Sequence, residues 1–209
     1  MAIRILTISR QFGSGGRSIA KDIANRLGWD YYDKDIIDEI SLETGFSKEF
    51  VASKSEEAPG KTVFSYGFES HGIPGIMNGM STHDYLWTVQ RKIVRQIAEK
   101  GKPCVIVGRN ADYILKDFEG VLNVFIHADM EFRINRVLRK YGQSEVKIEK
   151  RLNDKDKKRA VNHKHFTDLQ WGFAPNYDLT LNSSKLGHDK CVEILENVIK
   201  GSENEVNKD

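Results

Sequence analysis

The feature that most limits the fold of this chain is an alternation of apolar runs of strand length with segments of helical periodicity. The runs are rich in β-branched residues, which is typical of parallel strands covered on both faces. Between them, apolar residues recur every three or four positions, as in amphipathic helices. The pattern predicts an α/β fold with a central parallel sheet of about five strands. The expected strands are 3–8, 30–32, 104–107, 121–126 and 177–181, and the expected helices are about 19–27, 34–44, 82–100, 129–140, 144–160 and 188–200.

The composition agrees with one folded unit. Of the 209 residues, 39% are hydrophobic and 30% are charged, which is enough apolar material for one core or two closely joined cores. No run approaches the roughly 18 consecutive apolar residues of a transmembrane helix, and the N-terminus lacks a signal-peptide core, so we expect a cytoplasmic protein with no membrane partner. Cys104 and Cys191 are expected to be packing residues, because two cysteines in such patterns indicate neither a disulfide framework nor a zinc site.

A glycine-rich turn joins the first predicted strand to the first predicted helix. Phosphate binding requires several backbone amides that converge without an intervening Cβ, and such a turn before a helix provides them. Against the pattern GxxxxGK[ST], Gly16 and Ser18 match, whereas Gln11 and Arg17 replace the first glycine and the lysine. We expect Arg17 to supply positive charge and Ser18 to ligate Mg²⁺. The predicted ATP-binding residues here are Gly13, Ser14, Gly15, Gly16, Arg17 and Ser18.

Two other interpretations of this turn stay open. One is a plain glycine turn that binds no ligand. The other is a dinucleotide-binding loop, which the sequence favours less because GxGxxG is absent and only Asp33 stands near the expected position of the ribose-binding acid.

The basic residues are concentrated in one segment. The chain has 32 basic and 30 acidic residues, but 147–165 carries eight Lys/Arg against three acids. Arg151, Lys155 and Arg159 are four residues apart, so a helix would carry them on one face. A lid helix of this kind would neutralise nucleotide phosphates and exclude water, which makes Arg151 and Arg159, together with Arg17, the candidate catalytic residues. The alternative is a solvated surface helix with internal ion pairs.

Three further features of the sequence bear on partners and ligands. Arg109 follows Gly108 at the carboxyl end of a predicted strand, where open α/β sheets bind ligands; the alternative is a structural ion pair. His163 and His165 have no carboxylate or cysteine at ligand spacing, so no metal site is expected there. No nucleic-acid partner is expected, because the basic segment is short and lacks interleaved aromatic residues.

In their order and spacing, these motifs resemble those of the cytidylate kinase-like branch of the P-loop nucleoside monophosphate kinases. The resemblance extends from Ile3 to about Ile199 and rests on the glycine-rich turn, 107–110, 151–159, 171–172 and 176–179. It implies a three-layer P-loop NTPase-like fold with a helical lid. It also implies transfer of the γ-phosphoryl group of ATP, with Mg²⁺, to a nucleoside monophosphate, with CMP and dCMP as leading acceptors.

The resemblance also implies roles for individual residues. Gly108 and Arg109 are similar to the start of the family's Gly-Arg-Asp, whose arginine holds the acceptor phosphate, although Asn110 replaces the aspartate and Asp112 lies two residues further on. The implied acceptor-binding residues are Asp33, Arg109, Asp156 and Arg159, and the pair that opens the lid over the ATP phosphates is Arg133 and Arg136.

For the whole chain we expect one kinase domain over 1–200, followed by a flexible tail over 201–209. Within the domain, 35–100 is the expected acceptor-binding and insertion region, with a Gly- and Pro-containing insertion at 53–81, and 129–165 is the expected lid region. Small-molecule nucleotides are the expected partners, and the sequence leaves the oligomeric state open. A nucleotide-binding or regulatory protein without catalysis, and a kinase of another small acceptor, are the alternative functions.

Overall fold

The computed structural model describes residues 2–56, 80–142 and 146–206. The strands are β1 (Ile5–Arg10), β2 (Asp30–Tyr32), β3 (Cys104–Val107), β4 (Val121–His127) and β5 (Leu179–Asn182). The helices of these ranges are α1 (Gly16–Leu27), α2 (Asp35–Thr44), α3 (Lys48–Glu56), α4 (Thr82–Glu99), α5 (Ala111–Ile114), α6 (Met130–Tyr141), α7 (Ile148–Thr167), α8 (Ser183–Leu186) and α9 (His188–Val206). The strands form one parallel sheet in the order β2-β3-β1-β4-β5, which confirms the predicted fold class.

Helices cover both faces of the sheet, so the fold has three layers. On one face, α1 and α9 pack against side chains of the central strands such as Leu6, and Cys191 is buried in that core. On the other face, α2, α4 and α5 pack against Ile5 and its neighbours, and Cys104 is buried there. Both cysteines are unbridged and buried, in agreement with the predicted packing role.

The central strand ends later than its sequence pattern indicates. The apolar run predicts a strand over 3–8, whereas β1 covers Ile5–Arg10. The strand extends because β4 continues to pair with it: Ser9 lies in register with Phe125, and Arg10 with Ile126. Arg10 is therefore the last residue of the central strand, and its side chain starts from a fixed point at the carboxyl end of the sheet.

Two helices continue beyond their predicted ends. The pattern predicts the end of α7 at residue 160, but the helix reaches Thr167 because His163 and Thr167 are buried against the body of the protein. The expected flexible tail after residue 200 is helical as far as Val206, and the Ile3 amide donates to Ser202 Oγ at 2.9 Å. That contact ties the end of α9 to the start of β1, and 207–209 lie outside the described residues.

The region between β2 and β3 contains a helix that the sequence pattern did not predict. Helix α3 packs against α2 and α4, and Val51 is fully buried in that core. Most of the predicted insertion, 57–79, lies outside the described residues, and the proposed limits of the acceptor-binding and lid regions stay predictions. Among the helices described, none is both long enough and apolar enough to cross a membrane.

Candidate active site at the carboxyl end of the sheet

The glycine-rich loop, Gln11–Gly15, connects β1 to α1 and depends on left-handed backbone. Gly13 and Gly15 both have φ of 86°, a conformation that costs other residues about 1–2 kcal/mol. A Cβ at position 13 would lie 3.0 Å from the carbonyl oxygen of Arg133, so glycine is also required there for space. Within the described residues, no hydrogen bond occupies the amides of Gly13, Gly15 or Arg17. Amides of this kind before a helix are suited to binding phosphate.

Side chains and backbone from the end of β4 and from α8 hold the loop in place. The amide of Gln11 donates to Ile126 at 3.0 Å, and Gln11 Oε1 accepts from the Ala128 amide at 3.1 Å. Ser14 is fully buried, and its carbonyl oxygen accepts from Ser183 Oγ at 2.6 Å. Gln11 therefore anchors the loop to the end of β4, which explains how a residue other than glycine is accommodated at that position.

A second clamp fixes Phe12 from the side of α6 and α7. The Phe12 amide donates to Asp156 Oδ1 at 2.7 Å, and Arg133 Nε donates to the Phe12 carbonyl oxygen at 2.8 Å. Arg133 Nη2 and Asp156 Oδ2 also form a close ion pair, and only 5% of the Arg133 side chain is exposed. Burial raises the pKa of Asp156, while the Phe12 amide, Arg133 and Arg159 oppose that shift. The clamp thus holds the loop through both backbone polar groups of Phe12, its N–H and its C=O.

Arg136 and Ser18 lie at the open side of the loop. Arg136 Nη2 donates to Ser18 Oγ at 2.9 Å, and the same guanidinium passes 3.3 Å from the position of a Cβ on Gly15. Ser18 could serve as a hydroxyl ligand for Mg²⁺ only when Arg136 moves from it to a phosphate oxygen. Among the described residues there is no cluster of three His, Cys, Asp or Glu side chains that could hold a metal, so the site fits Mg²⁺ only if phosphate oxygens and water complete its coordination.

Four arginines and the Asp33 carboxylate come together where the loop meets the ends of β2 and β3. Arg17 Nε lies 2.6 Å from Asp33 Oδ2, and Arg10 Nη2 lies 3.9 Å from Asp33 Oδ1. Arg159 Nη1 donates to the carbonyl oxygen of Arg10 at 3.1 Å. Burial and the charge of Arg159, with smaller contributions from Arg109 and Arg17, lower the pKa of Arg10 to about 9 against the opposing effect of Asp33. Arg159 also lies 3.6 Å from the Asp156 carboxylate. The four guanidinium groups still outnumber the two carboxylates near them, and this leaves a positive potential that attracts an anion.

The turn after β3 is built from three consecutive left-handed residues. Gly108, Arg109 and Asn110 have φ of 73°, 59° and 52°, which is an unfavourable backbone for the two that are not glycine. Gln90 Nε2 donates to the carbonyl oxygen of Arg109 at 2.9 Å, and Asn110 Nδ2 donates to Asn162 Oδ1 at 3.2 Å. Strained backbone of this kind is concentrated at functional sites, where surrounding structure maintains it.

Two adjacent cavities open at this edge of the sheet. The loop cavity, about 180 Å³, is lined by the glycine-rich loop, α6 and Lys155 of α7. The strand-end cavity, about 70 Å³, is lined by the turn after β3 together with Gln90 and Asn162. Both cavities share Arg10, Arg17 and Arg159 as lining residues. The arrangement can hold two anionic groups on either side of a common set of cations.

A family model for cytidylate kinase-like proteins matches residues 5–185, which includes the loop, both cavities and helix α7. The chain belongs to the cytidylate kinase-like family. The match confirms the resemblance based on the motifs. No curated protein matches the sequence significantly.

Solved structures show that this family member has the fold of P-loop kinases. An uncharacterized protein from Eubacterium ventriosum is 24% identical, with a TM-score of 0.69 over 94% of this chain and 98% of that one. Shikimate kinase from Bacteroides thetaiotaomicron is 11% identical, with a TM-score of 0.55 over 96% and 99%. A gluconokinase from Sinorhizobium meliloti is 15% identical, with a TM-score of 0.55 over 94% and 93%. At these identities the likeness establishes the fold.

The structure separates the predicted site residues of this family member into three groups. Those at the two cavities or at the loop are Gly13, Ser14, Gly15, Gly16, Arg17, Ser18, Asp33, Arg109, Arg136 and Arg159. Arg133 and Asp156, expected at the ATP and acceptor phosphates, instead clamp Phe12 from behind. Arg151 lies 5.9 Å from the Phe12 ring and lines a neighbouring groove, so Lys155 and Arg159 are the members of the predicted basic face that reach the loop cavity.

The sequence patterns did not indicate two features of the region around the cavities. Arg10 was not singled out because the apolar run ended at Ile8 and nothing marked it as the last residue of the strand. The Asp112 and His163 side chains form a buried pair, with Oδ2 and Nε2 2.9 Å apart, that joins α5 to α7. Since these two residues are 51 positions apart in sequence, no local pattern could indicate their contact.

Proposed function

We propose that the protein transfers the γ-phosphoryl group of ATP to a nucleoside monophosphate, with CMP or dCMP as the acceptor. The observation that carries this proposal is the junction of the two cavities at Arg10, Arg17 and Arg159. Phosphoryl transfer requires that donor and acceptor oxygens stand in line with positive charge around the transferred group. The three arginines that line both the loop cavity and the strand-end cavity meet that requirement.

In this proposal the triphosphate of ATP occupies the loop cavity. The amides of Gly13, Gly15 and Arg17 are suited to bind phosphate oxygens, and Arg136 and Lys155 add positive charge at the rim. Mg²⁺, when bound with ATP, would neutralise charge on the phosphates. Ser18 would be its protein ligand, with Arg136 transferred from the Ser18 hydroxyl to the phosphates.

The acceptor phosphate occupies the strand-end cavity. At about 70 Å³ the cavity is well below the size of a site for a whole drug-sized ligand, so it suits a phosphate group with the rest of the acceptor outside it. Arg109 and Arg17 line it from opposite turns, and guanidinium groups bind phosphate with two parallel hydrogen bonds. Membership of the cytidylate kinase-like family supports a cytidine nucleotide as the acceptor.

One observation favours a second function, nucleotide binding without catalysis. Arg17, which stands at the lysine position in our reading of the motif, is bound by two contacts to Asp33, at 2.6 and 3.2 Å. An arginine engaged in this way contributes less to the γ-phosphate than an unpaired lysine would. If no other cation acts there, ATP would bind but would not react.

The decisive experiment is a coupled ADP-release assay with ATP and Mg²⁺ across CMP, dCMP, UMP, AMP, shikimate and gluconate. We expect ADP release with CMP or dCMP to exceed that with the other acceptors at least tenfold. Parallel calorimetry with ATP separates the alternatives: tight ATP binding without ADP release for any acceptor would indicate a binding protein. Preference for shikimate or gluconate would indicate a kinase of another small molecule.

A further inference from the structure

The Arg10 side chain lies between the glycine-rich loop and the turn after β3. A Cβ built on Gly16 would lie 2.6 Å from Arg10 Cβ, and a Cβ on Gly108 would lie 2.1 Å from Arg10 Nη1. The side chain therefore passes over the first residue of α1 and ends against the turn after β3. Glycine at both positions provides the space for it, so the path of the Arg10 side chain is built into the backbone of both turns.

The charge of Arg10 is only partly compensated. Its side chain is 16% exposed, and the Asp33 carboxylate, 3.9 Å away, is already engaged by Arg17 at 2.6 Å. Three other guanidinium groups face it: Arg17 from α1, Arg109 from the turn after β3 and Arg159 from α7. Crowding a largely buried cation with like charges is costly, and an anion bound at this point would remove the cost.

Arg10 and a side chain at position 16 exclude each other. In GxxxxGK[ST] the lysine follows the last glycine of the motif; here that glycine is Gly16, the first residue of α1, so Arg17 stands at the lysine position. A side chain at position 16 would start 2.6 Å from Arg10 Cβ. The side chain of Arg17, in contrast, is 46% exposed and points to Asp33. The chain thus carries, at the end of β1, a second cation that Asp33 holds less closely than it holds Arg17, at 3.9 Å against 2.6 Å.

We propose that Arg10 contacts the transferred phosphoryl group and performs the task of the lysine that this loop lacks. The inference rests on the proposed function. In the transfer, the bond from the γ-phosphorus to the β–γ bridging oxygen breaks and its electron pair stays with ADP. An oxygen of the acceptor phosphate forms the new bond to phosphorus. Arg10 keeps its proton and stabilises the charge on the equatorial oxygens through two directed hydrogen bonds.

The test exchanges the position of the cation. Four variants are compared with the wild type: Arg10→Gly, Arg10→Lys, Gly16→Lys and the double variant Arg10→Gly/Gly16→Lys. Tripolyphosphate binding, measured by calorimetry, reports the phosphate contact without catalysis, and kcat with ATP reports transfer. Arg26→Ala, which removes a surface arginine paired with Glu196 far along α1, is the matched control.

We expect Arg10→Gly to weaken tripolyphosphate binding at least tenfold. Its effect on kcat should be larger than its effect on binding. The double variant should regain at least a third of the lost affinity, because removal of the Arg10 side chain makes room for lysine at position 16. Gly16→Lys alone should bind poorly and unfold at lower temperature, because the two side chains collide. Unchanged tripolyphosphate binding in Arg10→Gly, or a double variant no better than Arg10→Gly, would overturn the inference.

Folding and the proposed function are controlled separately. If Arg10→Gly does not fold, Arg10→Lys and Arg10→Gln decide instead, since they differ in charge at similar length: equal binding by these two overturns the inference. If Arg10→Gly abolishes tripolyphosphate binding but the wild type phosphorylates no acceptor, the proposed function is wrong and the phosphate contact of Arg10 is supported. If the wild type is active and Arg10→Gly leaves kcat unchanged, the proposed function is supported and the inference about Arg10 is wrong.

Discussion

The two turns that border the site are held by different parts of the molecule. The glycine-rich loop after β1 is anchored to the end of β4, to α8, and to the Arg133 and Asp156 pair of α6 and α7. The turn after β3 is shorter and more strained. Its Gly108 amide donates to the Ile8 carbonyl oxygen of β1 at 3.0 Å, and Gln90 of α4 and Asn162 of α7 bond to Arg109 and Asn110. The first turn is thus anchored at several points by β4, α6, α7 and α8, whereas the second combines one strand contact with side-chain bonds to two helices that border the strand-end cavity.

This difference assigns different tasks to the two sides of the site. A loop fixed from several elements holds its amides in place before ligand arrives, which is the preorganisation that phosphate binding needs. In the strained turn, the parts beyond Gly108 are bonded to side-chain amides of α4 and α7, so we expect Arg109 and Asn110 to respond to small shifts of those helices. Helix α7 touches both turns, through Asp156 and Asn162, so it couples them.

The largest expected effect follows from breaking the anchor of the first turn. Arg133→Ala leaves the Asp156 carboxylate buried without its main partner, which should lower the free energy of unfolding by about 3–5 kcal/mol. Loss of the bond to the Phe12 carbonyl oxygen should also weaken ATP binding. Denaturant unfolding and ATP calorimetry check both effects. Arg139→Ala, on the exposed face of the same helix, is the control; a loss no larger than that of the control would show that the clamp does not hold the loop.

A change in the second turn should affect the acceptor alone. Arg109→Ala should lower kcat/KM for the acceptor about 100-fold, equivalent to about 2.7 kcal/mol, because a guanidinium that binds phosphate is lost. ATP affinity should stay within about twofold of the wild type. Initial-rate kinetics in both substrates and ATP calorimetry measure the two quantities. Weaker ATP binding with an unchanged acceptor KM would reverse the assignment of the two cavities.

The comparison also shows how far the sequence predicts this molecule. The alternation of patterns predicted the five strands and their parallel arrangement, and β2 and β3 have the predicted limits. Local signals also located the glycine-rich loop, because glycine, a strand end and a helix start are adjacent in sequence. The patterns did not predict helix α3, because burial of Val51 against other helices stabilises it. They also placed the end of α9 too early, because the contact of Ser202 with Ile3 depends on a segment far away in sequence.

The site was less predictable than the fold, for a physical reason. Side-chain partners here are far apart in sequence: Arg133 meets Asp156, Arg17 meets Asp33, and Arg10 is placed by the pairing of β1 with β4. Residue type marks an arginine as a possible phosphate ligand, but only the tertiary structure shows which arginine is already bound by a carboxylate. The role of each arginine in catalysis therefore stays a prediction that the variants must test.

A smaller effect is expected behind the second turn, at the pair of Asp112 and His163. Asp112→Ala should lower the free energy of unfolding by about 1–3 kcal/mol, because the buried imidazole loses its partner. Since Asp112 lies two residues after Asn110, the acceptor KM should rise a few-fold while ATP affinity is unchanged. Thermal unfolding and kinetics measure these effects, with Asp117→Ala as an exposed control. If Asp112→Ala weakened ATP binding and left the acceptor KM unchanged, the pair would support the glycine-rich loop and not the turn after β3.

The smallest expected effect distinguishes the two ends of α7. Arg151, Lys155 and Arg159 share one face of its first part, where like charges repel until phosphates lie between them. Its last part is already fixed by the buried His163 and Thr167. Hydrogen exchange over 148–160 should therefore slow about tenfold, equivalent to about 1.4 kcal/mol, when a bisubstrate analogue of ATP and CMP is added, while exchange over 161–167 stays constant. Arg159→Ala should remove the bond to the Arg10 carbonyl oxygen and the contact with Asp156, but it should reduce kcat more than stability, since its proposed task is to bind the phosphates. Slow exchange over 148–160 without ligand, unaffected by the analogue, would show that the whole of α7 is structural and that neither turn depends on its closure.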